Sequence, residues 1–546
     1  MKHSMYKNLV TCAFPYANGE IHLGHLLEQI QADIWVRYLR LKGYSVIFLC
    51  ADDAHGTAVM LKAKKMKISP NQLIHCMQKQ HKNIFLKFSV FHDHYSSTHS
   101  KINKNLCSKI FNIILKKNFL KEKQIAQLYD IKLNMFLSDR FVKGTCPHCK
   151  SDNQYGDNCD VCGATYNATE LLNVISQLSN SSPEIKFSNH IFFRLSIFSN
   201  FLKKWINSGV LQKSVLNKIN EWVNSSLHSW NISRDHPYFG FKIPGYSDKF
   251  FYVWLDAPIG YISCFKELCN LRQDINFDEF WSLNSKHKLY HFIGKDIIYF
   301  HALFWPSILE GCNYRKPTKI FAHGYLTFKG IKLSKSKGSM ISASQWLSHF
   351  DSDSLRYYFA SKLSNTIEDI DMNLYDYAYK INADIVNNII NLASRNASFL
   401  EKYFDNILSN QFIESVLYKK FIDASVEIED FFKDRKFSLV VQKIRNLADI
   451  ANKYISQKQP WILIKNISNK NKVHNICSVG INLFKILMIF LKPIMPVLVS
   501  NAELFLNTSL MWKDISIPLL NHKINHFSCL YQRISFNDID KFLEKI

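Results

Sequence analysis

The sequence predicts an α/β fold: a parallel sheet interrupted by an insertion and followed by an all-α helical bundle. Three observations point there. Short apolar runs closed by turn residues alternate with helical periodicity near the start of the chain and again after Phe251. Between these stretches, a segment carrying two Cys-x-x-Cys pairs breaks the rhythm. From about Ile381 onward glycines are few and long runs of helical periodicity take over. A strand–helix–strand order brings its two strands together in parallel, because the helix returns the chain to the edge it left.

Leu9-Val10-Thr11-Cys12-Ala13-Phe14 is a short apolar run, closed by Pro15 and the turn pair Asn18-Gly19. Leu23 to Leu41 follows as a helix, with Leu26, Ile30, Ile34 and Tyr38 at helical spacing. Val46 to Cys50 is a second buried-strand candidate and completes a βαβ unit. The order resumes with the apolar segments Phe251–Leu255, Leu289–Ile293 and Ile320–Phe321, separated by helical patterns. The most lipid-like segment, Ile481 to Val499, is interrupted by Lys485, Lys492, Pro493 and Pro496, so it reads as a buried helix followed by a turn rather than a membrane span. The expected divisions are 1–115 and 232–323 as two halves of one Rossmann-like nucleotide-binding domain, 116–231 as the insertion, 324–380 as a linker domain and 381–546 as the helical domain.

At about 150 residues per domain, a chain of 546 residues suggests three to four domains. Hydrophobic residues at 47% and charged residues at 21% exclude bulk disorder. Lysine and arginine exceed aspartate and glutamate by 23, which suggests a polyanionic partner, nucleic acid first and a membrane surface second. Compositional drift in a lysine- and asparagine-rich chain is the competing reading. Of thirteen cysteines, four are clustered and nine are scattered singly, the usage of a reducing compartment. After Lys2 the apolar stretch is short and stops at Pro15, unlike a secretory leader, so a cytoplasmic location is expected.

Chemistry is concentrated in a few strings. His22-Leu23-Gly24-His25 falls in the first strand-to-helix turn, where ligands of a parallel sheet sit against helix amides. Two imidazoles three residues apart there can donate to phosphate oxygens, and Gly24 leaves room for a flat ring. A zinc pair is the alternative, although no glutamate completes a protease motif. Lys332-Leu333-Ser334-Lys335-Ser336, followed by Lys337-Gly338, puts two ammonium groups on a small-residue loop able to close over pyrophosphate. Alone, in so lysine-rich a chain, that string is weak. Cys146-Pro147-His148-Cys149 and Cys159-Asp160-Val161-Cys162 form two matching pairs nine residues apart, with Gly156 and Gly163 nearby. Such spacing builds a tetrahedral thiolate site for one structural zinc ion, a zinc knuckle; a redox pair is the other use of Cys-x-x-Cys. Asn391 and Arg395 lie four apart on one helical face, and Trp461 follows Pro460 at a chain turn. These could stack on and hydrogen-bond to single-stranded RNA, or Trp461 could be ordinary core.

The histidine and lysine strings together resemble the two signature motifs of the class I aminoacyl-tRNA synthetases. The surrounding text is similar to the bacterial methionyl-tRNA synthetase family, zinc-knuckle type. The matching strings are Pro15-Tyr16-Ala17-Asn18-Gly19, Cys50-Ala51-Asp52-Asp53-Ala54-His55-Gly56, Trp254-Leu255-Asp256-Ala257-Pro258-Ile259-Gly260-Tyr261 and Phe292-Ile293-Gly294-Lys295-Asp296. The match runs from near residue 8 to at least Trp461 and more loosely to the end. Leu333 stands where the family usually has Met, and Phe14 where Leu is usual beside the substrate side chain.

What the resemblance implies is activation of L-methionine with ATP and Mg²⁺ to methionyl-adenylate and pyrophosphate. The methionyl group then passes to the 3′-terminal adenosine of tRNA(Met), for initiation and elongation. Carried over by position, His22, His25, Lys332 and Lys335 serve the phosphates, with Gly24, Gly294 and Asp296 beside the nucleotide. Asp53, just after the second strand, pairs with the α-ammonium, its plainer role being a helix cap. Ala13, Phe14, Tyr16, Trp254, Ala257, Pro258, Tyr261, Ile297 and His301 line the methionine pocket, where aromatic walls suit a polarizable thioether. Without the family, those Trp and Tyr residues would read as core. Asn391, Arg395, Pro460 and Trp461 take the anticodon positions of the helical domain. Some relatives add a C-terminal dimerising barrel of roughly 100 residues. The chain ends at Ile546 soon after the helical domain, so a monomer without membrane association is expected. Two other functions stay open: a sibling synthetase for leucine, isoleucine or cysteine, and a non-catalytic zinc and tRNA-binding protein.

Overall fold

The apolar runs become one parallel sheet. Its strands are β1 (Asn8–Cys12), β2 (Val46–Asp52), β3 (His94–Ser97), β4 (Lys288–Gly294) and β5 (Lys319–His323), in spatial order β5-β4-β1-β2-β3. All four pairings are parallel; Leu9 sits opposite both Ile47 and Leu289. The computed structural model describes residues 7–156, 159, 161, 162, 164, 166–224, 227–328, 330–332 and 341–545. Every residue of β2 is buried, as a strand covered on both faces requires. Alternation along the strands divides the core. Val10, Phe48, Cys50 and Phe292 face one hydrophobic cluster, whereas Leu9, Ile47, Leu49 and Leu289 face the other.

Helix α1 (Leu23–Leu41) packs on the first of these faces with Leu26, Ile30, Ile34 and Tyr38 fully buried, the stripe its spacing predicts. Helix α2 (Pro70–Lys87) starts with Ser69 and Gln72 capping each other and Pro70 in the first turn. On the second face lies α3 (Val253–Leu271). Here the structure corrects the sequence: the apolar run Phe251–Leu255 is strand only through Phe251 (Lys249–Phe251) and helix from Val253. A continuously apolar run carries no period, so it cannot separate a buried strand from a buried helix.

Between β3 and β4 the chain builds the insertion around a long antiparallel pair, Leu120–Asp130 with Glu184–Phe193. A small sheet of Val142–Thr145, Gln154–Tyr155 and Leu172–Ser176 adjoins the cysteine pairs. After β5, Leu326–Phe328 pairs antiparallel with Ile331–Lys332 and parallel with Ile370–Met372. Helices then dominate: α4 (Ser352–Lys362), α5 (Asn391–Phe404), α6 (Ser415–Lys433), α7 (Phe437–Lys458) and α8 (Lys470–Leu491).

Arg356 of α4 locks the sheet region to this bundle. Fully buried, it donates from Nη2 to Asp33 Oδ2 of α1 (2.7 Å), from Nη1 to Phe88 O (3.2 Å) and from Nε to Ile494 O (2.8 Å). Burial alone would raise the Asp33 carboxyl, but Arg37 and Arg356 outweigh it and hold Asp33 below the usual range. Removing either partner would strand a buried charge, which is the costly way to break such a pair. The segment Ile467–Leu491 is long and apolar enough to cross a membrane, yet 89% of its most apolar window is buried within the fold. Lys485, which interrupts that run in the sequence, is buried too, its ammonium donating to the Asp514 (2.6 Å) and Ile517 carbonyls.

Candidate active site and metal centre

Strand β1 lies between β2 and β4, so the connections leave it in opposite directions and open a crevice beyond the carboxyl ends. A cavity of about 800 Å³ occupies that place. Eleven residues expected from the sequence stand at its wall: Ala13, Phe14, Tyr16, His22, Gly24, His25, Asp53, Trp254, Gly294, Asp296 and Ile297.

The histidine pair is arranged by the helix terminus rather than by a shared helical face. His22 is the N-cap of α1: its extended backbone brings Nδ1 to the Gly24 amide at 3.1 Å, and His25 Nδ1 accepts from the His22 amide at 3.3 Å. The rings stack at 3.7 Å with 23° between their planes. Because each Nδ1 accepts an amide proton, the neutral rings carry their own proton on Nε2. The amide end of a 19-residue helix and two Nε2–H donors therefore belong to one turn. A Cβ at Gly24 would come within 3.0 Å of the His22 ring, so that glycine permits the cap itself.

Asp53 follows β2, its amide bonded to Pro15 O (2.9 Å) and its carbonyl to the Ala17 amide (2.8 Å). Its Oδ1 is enclosed and has no hydrogen-bond partner among the described residues. Burial, then the charge of Asp256, pushes the Asp53 carboxyl well above its ordinary range. Such a group is short of a cation. Behind it, Asp256 Oδ2 meets His55 Nδ1 at 2.7 Å and His55 Nε2 meets His99 Nδ1 at 2.8 Å, a buried relay that fixes Asp256 in place. Gly56, at φ +114°, passes so close to the Tyr16 hydroxyl that any side chain would displace it from the wall.

The aromatic residues form a layered floor. Trp254 lies flat on Phe300, 3.7 Å between centroids and 11° between planes. Phe14 packs on Tyr261 at 4.6 Å. Ala257, Pro258, Tyr261 and His301 are buried beneath this layer and do not reach the cavity wall. His301 Nδ1 donates to Ile297 O (3.0 Å), so its Nε2 accepts from the Tyr261 hydroxyl at 2.9 Å. Burial holds the His301 imidazole down at about 4, hence neutral.

Lys332 ends a short strand paired with Thr327, and its side chain is not described; Lys335, with the rest of 333–340, lies outside the described residues. The next residues bind the histidine turn directly: Leu23 donates to Ile341 O (3.1 Å) and Ala343 to Ile21 O (2.9 Å).

Three residues at this wall were not found from the sequence. Arg234 lies 3.6 Å over the Tyr252 ring and brings a guanidinium to the cavity. Glu28 Oε2 meets His323 Nε2 at 3.2 Å. Burial works against the His323 imidazolium, but Glu28 outweighs it and raises His323 above its ordinary value. Glu28 was legible in principle, being one turn beyond His25 on α1; Arg234 carries no local signal, and His323 only its place at the end of β5.

The four cysteines converge. The Sγ atoms of Cys146, Cys149, Cys159 and Cys162 all lie within 4.8 Å of one another, Cys146–Cys162 at 3.9 Å and Cys149–Cys159 at 3.5 Å. A tetrahedron with zinc–sulfur bonds of about 2.3 Å has edges of about 3.8 Å, so the donor set fits zinc. Amides of Val161 and Cys162 point at Cys159 Sγ, each at 3.4 Å, as thiolates require. Four protein ligands leave no open position, which marks such a site as structural. Replacing both Cys149 and Cys162 by serine is expected to cut zinc, measured by metal analysis of the purified protein, from about one equivalent to about a tenth or less.

In the helical region Arg395, Pro460 and Trp461 line a separate pocket of about 420 Å³. Trp461 is 41% exposed, which excludes the core reading. Asn391 heads α5 one turn before Arg395 but is not part of the pocket wall.

A parallel sheet with a capped histidine turn at its switch point, a lysine-rich string further along the sequence, and a helical bundle after it define a class I aminoacyl-tRNA synthetase. The family model described as tRNA synthetases class I (M) matches residues 8–397. The chain belongs to the methionine–tRNA ligase family of that class, an ATP-dependent ligase family that joins methionine to tRNA. Methionine–tRNA ligases of Buchnera aphidicola subsp. Acyrthosiphon pisum, strains Tuc7, 5A and APS, are each 56% identical over 538 residues, 98% of this chain and 98% of theirs. The fold matches Mycobacterium tuberculosis methionyl-tRNA synthetase in complex with methionyl-adenylate with a TM-score of 0.81 and 21% identity, over 97% of this chain and 100% of that one. The free-state form of that enzyme gives 0.73 at 20% identity, over 98% and 99%.

Proposed function

We propose that the chain activates L-methionine in two steps at the carboxyl-end cavity, and that the residues assigned from the sequence perform them. Supporting this reading above all is the Asp53 carboxylate, enclosed and unpartnered at Oδ1, in the same cavity as the stacked His22–His25 pair. The methionine ammonium pairs with Asp53, and its side chain enters between Phe14, Tyr16 and Trp254 toward Tyr261 and His301. Its carboxylate oxygen attacks the α-phosphorus of ATP; the bond to the bridging oxygen breaks and pyrophosphate leaves with the electron pair. Charge grows on phosphate oxygens, where the two Nε2–H groups, the α1 amides and the ammonium groups of Lys332 and Lys335 stabilise it more than in the ground state. No side chain acts as a nucleophile, so the rate comes from positioning and electrostatics.

In the second step a hydroxyl of the 3′-terminal adenosine of tRNA(Met), initiator or elongator, attacks the methionyl carbonyl and AMP departs. Gly294 and Asp296 flank the nucleotide, and Mg²⁺, accompanying ATP, would supply charge neutralisation of its phosphates. One zinc ion held by Cys146, Cys149, Cys159 and Cys162 keeps the insertion folded. Asn391, Arg395, Pro460 and Trp461 meet the anticodon, with Trp461 offering a stacking face. The proposed divisions are 1–115 and 232–323 for catalysis, 116–231 for the zinc-bearing insertion, 324–380 for the lysine-loop linker and 381–546 for anticodon binding. ATP–pyrophosphate exchange across an amino-acid panel tests the reading: methionine alone should support exchange. Exchange with leucine, isoleucine or cysteine instead, or with none, overturns it.

A further inference from the structure

A second large cavity, of about 1020 Å³, lies at the opposite, amino-terminal ends of the strands. Asn8 of β1, Lys288 of β4 and Lys319 of β5 contribute to its wall, together with the turn Lys433–Arg435 between α6 and α7. Arg435 sets its chemistry. It adopts a left-handed backbone (φ +60°), which turns its side chain under the sheet, where it is 6% exposed and its guanidinium sits 3.6 Å over the Phe321 ring. Nε and Nη1 find no acceptor among the described residues. Asp434 supplies the one carboxylate among the described lining residues, and it is exposed and paired with Lys436 at 3.0 Å. Lys433 is paired with Glu429 at 2.9 Å, whereas Lys213 and Lys288 stand exposed at the rim. The cavity is thus net basic around a buried cation short of hydrogen-bond acceptors, the complement of an oxyanion.

The wall beneath and beside Arg435 is aromatic. Tyr290 and Phe321 lie nearly parallel, 5.7 Å between centroids at 19°, and Trp35 meets Tyr290 edge-on at 4.8 Å. A flat, apolar surface beside a guanidinium fits a planar ring carrying a phosphate better than a bare ion. We propose that this cavity is a second ligand site, which takes a mononucleotide with its phosphate on Arg435 and its base against the Tyr290–Phe321 wall. It is separate from the catalytic cavity, being at the far ends of the same strands.

Calorimetric titration of the full chain with AMP tests this, after the catalytic cavity has been saturated with a non-hydrolysable methionyl-adenylate mimic. Binding of the mimic reports on the catalytic reading separately. One AMP per chain is expected, with Arg435→Gln weakening it at least tenfold and adenosine, which lacks the phosphate, binding at least tenfold more weakly than AMP. Should circular dichroism show Arg435→Gln to be unfolded, the rim variant Lys213→Gln/Lys288→Gln is expected to weaken AMP at least threefold. The proposal is overturned if blocked protein shows no saturable AMP binding, if AMP binds the folded variants as it binds the wild type, or if inorganic phosphate binds as tightly as AMP.

Discussion

Substituting His25 by asparagine is expected to lower the maximal rate of methionine-dependent ATP–pyrophosphate exchange by about 10²–10³-fold, the usual effect of removing one donor aimed at developing charge. Asparagine is chosen because of the cap. His25 Nδ1 accepts the His22 amide at 3.3 Å, and a shorter amide side chain can keep that acceptor while losing the more distant Nε2 donor. His25→Gln does the reverse, reaching toward the Nε2 position without restoring the cap, and should retain more rate than His25→Asn. The KM for methionine should move little in either, since the lost interaction strengthens mainly in the transition state. A larger loss in His25→Gln than in His25→Asn, with a drop in melting temperature confined to the glutamine variant, would show that His25 acts only as a helix cap.

Asp53→Asn should act on the other side of the reaction, raising the KM for methionine by about 10²–10³-fold in the exchange assay, because an ammonium then enters an enclosed site without its counter-ion; breaking such a pair costs about 3–5 kcal/mol. The pH dependence separates a charge effect from a packing effect. Asp53 is raised well above the ordinary carboxyl range by burial and by Asp256, so below that raised value it holds a proton that methionine must expel. Methionine affinity therefore falls as pH falls through that raised value, with a limiting slope of about tenfold per pH unit. Above it the carboxylate is already ionised and affinity levels off. The asparagine variant has no proton to expel and should give a flat profile over the same range. A wild-type profile as flat as the variant's would remove Asp53 from ammonium recognition.

Much of the architecture was legible because it rests on local regularities. The continuous apolar run of β1, closed by Pro15, and the Leu26–Ile30–Ile34–Tyr38 stripe of α1 are each properties of a single element. The cysteine spacing announced a metal-sized cluster, since two tight turns bring each pair of thiols together whatever surrounds them. Where period was missing, as in Phe251–Leu255, the reading failed and the chain became helix. The roles of Tyr261 and His301 show another limit. Both were expected from the resemblance to line the methionine pocket, yet they are buried away from the cavity wall, joined by a hydrogen bond of 2.9 Å. Only packing decides which aromatic faces the cavity.

By itself the sequence determined the βαβ order, the place of the histidine turn, the four-thiolate cluster and the family, all properties carried by residues close together in the chain. The tertiary structure alone decided that His22 and His25 couple through a helix cap, that Asp53 is left short of a cation, that Glu28 finds His323 across 295 residues, and that Arg435 is buried against Phe321 at the back of the sheet. The reason is physical: hydrogen-bond satisfaction and the electrostatic cost of burial depend on what surrounds a group in space, and that is fixed only when distant segments pack.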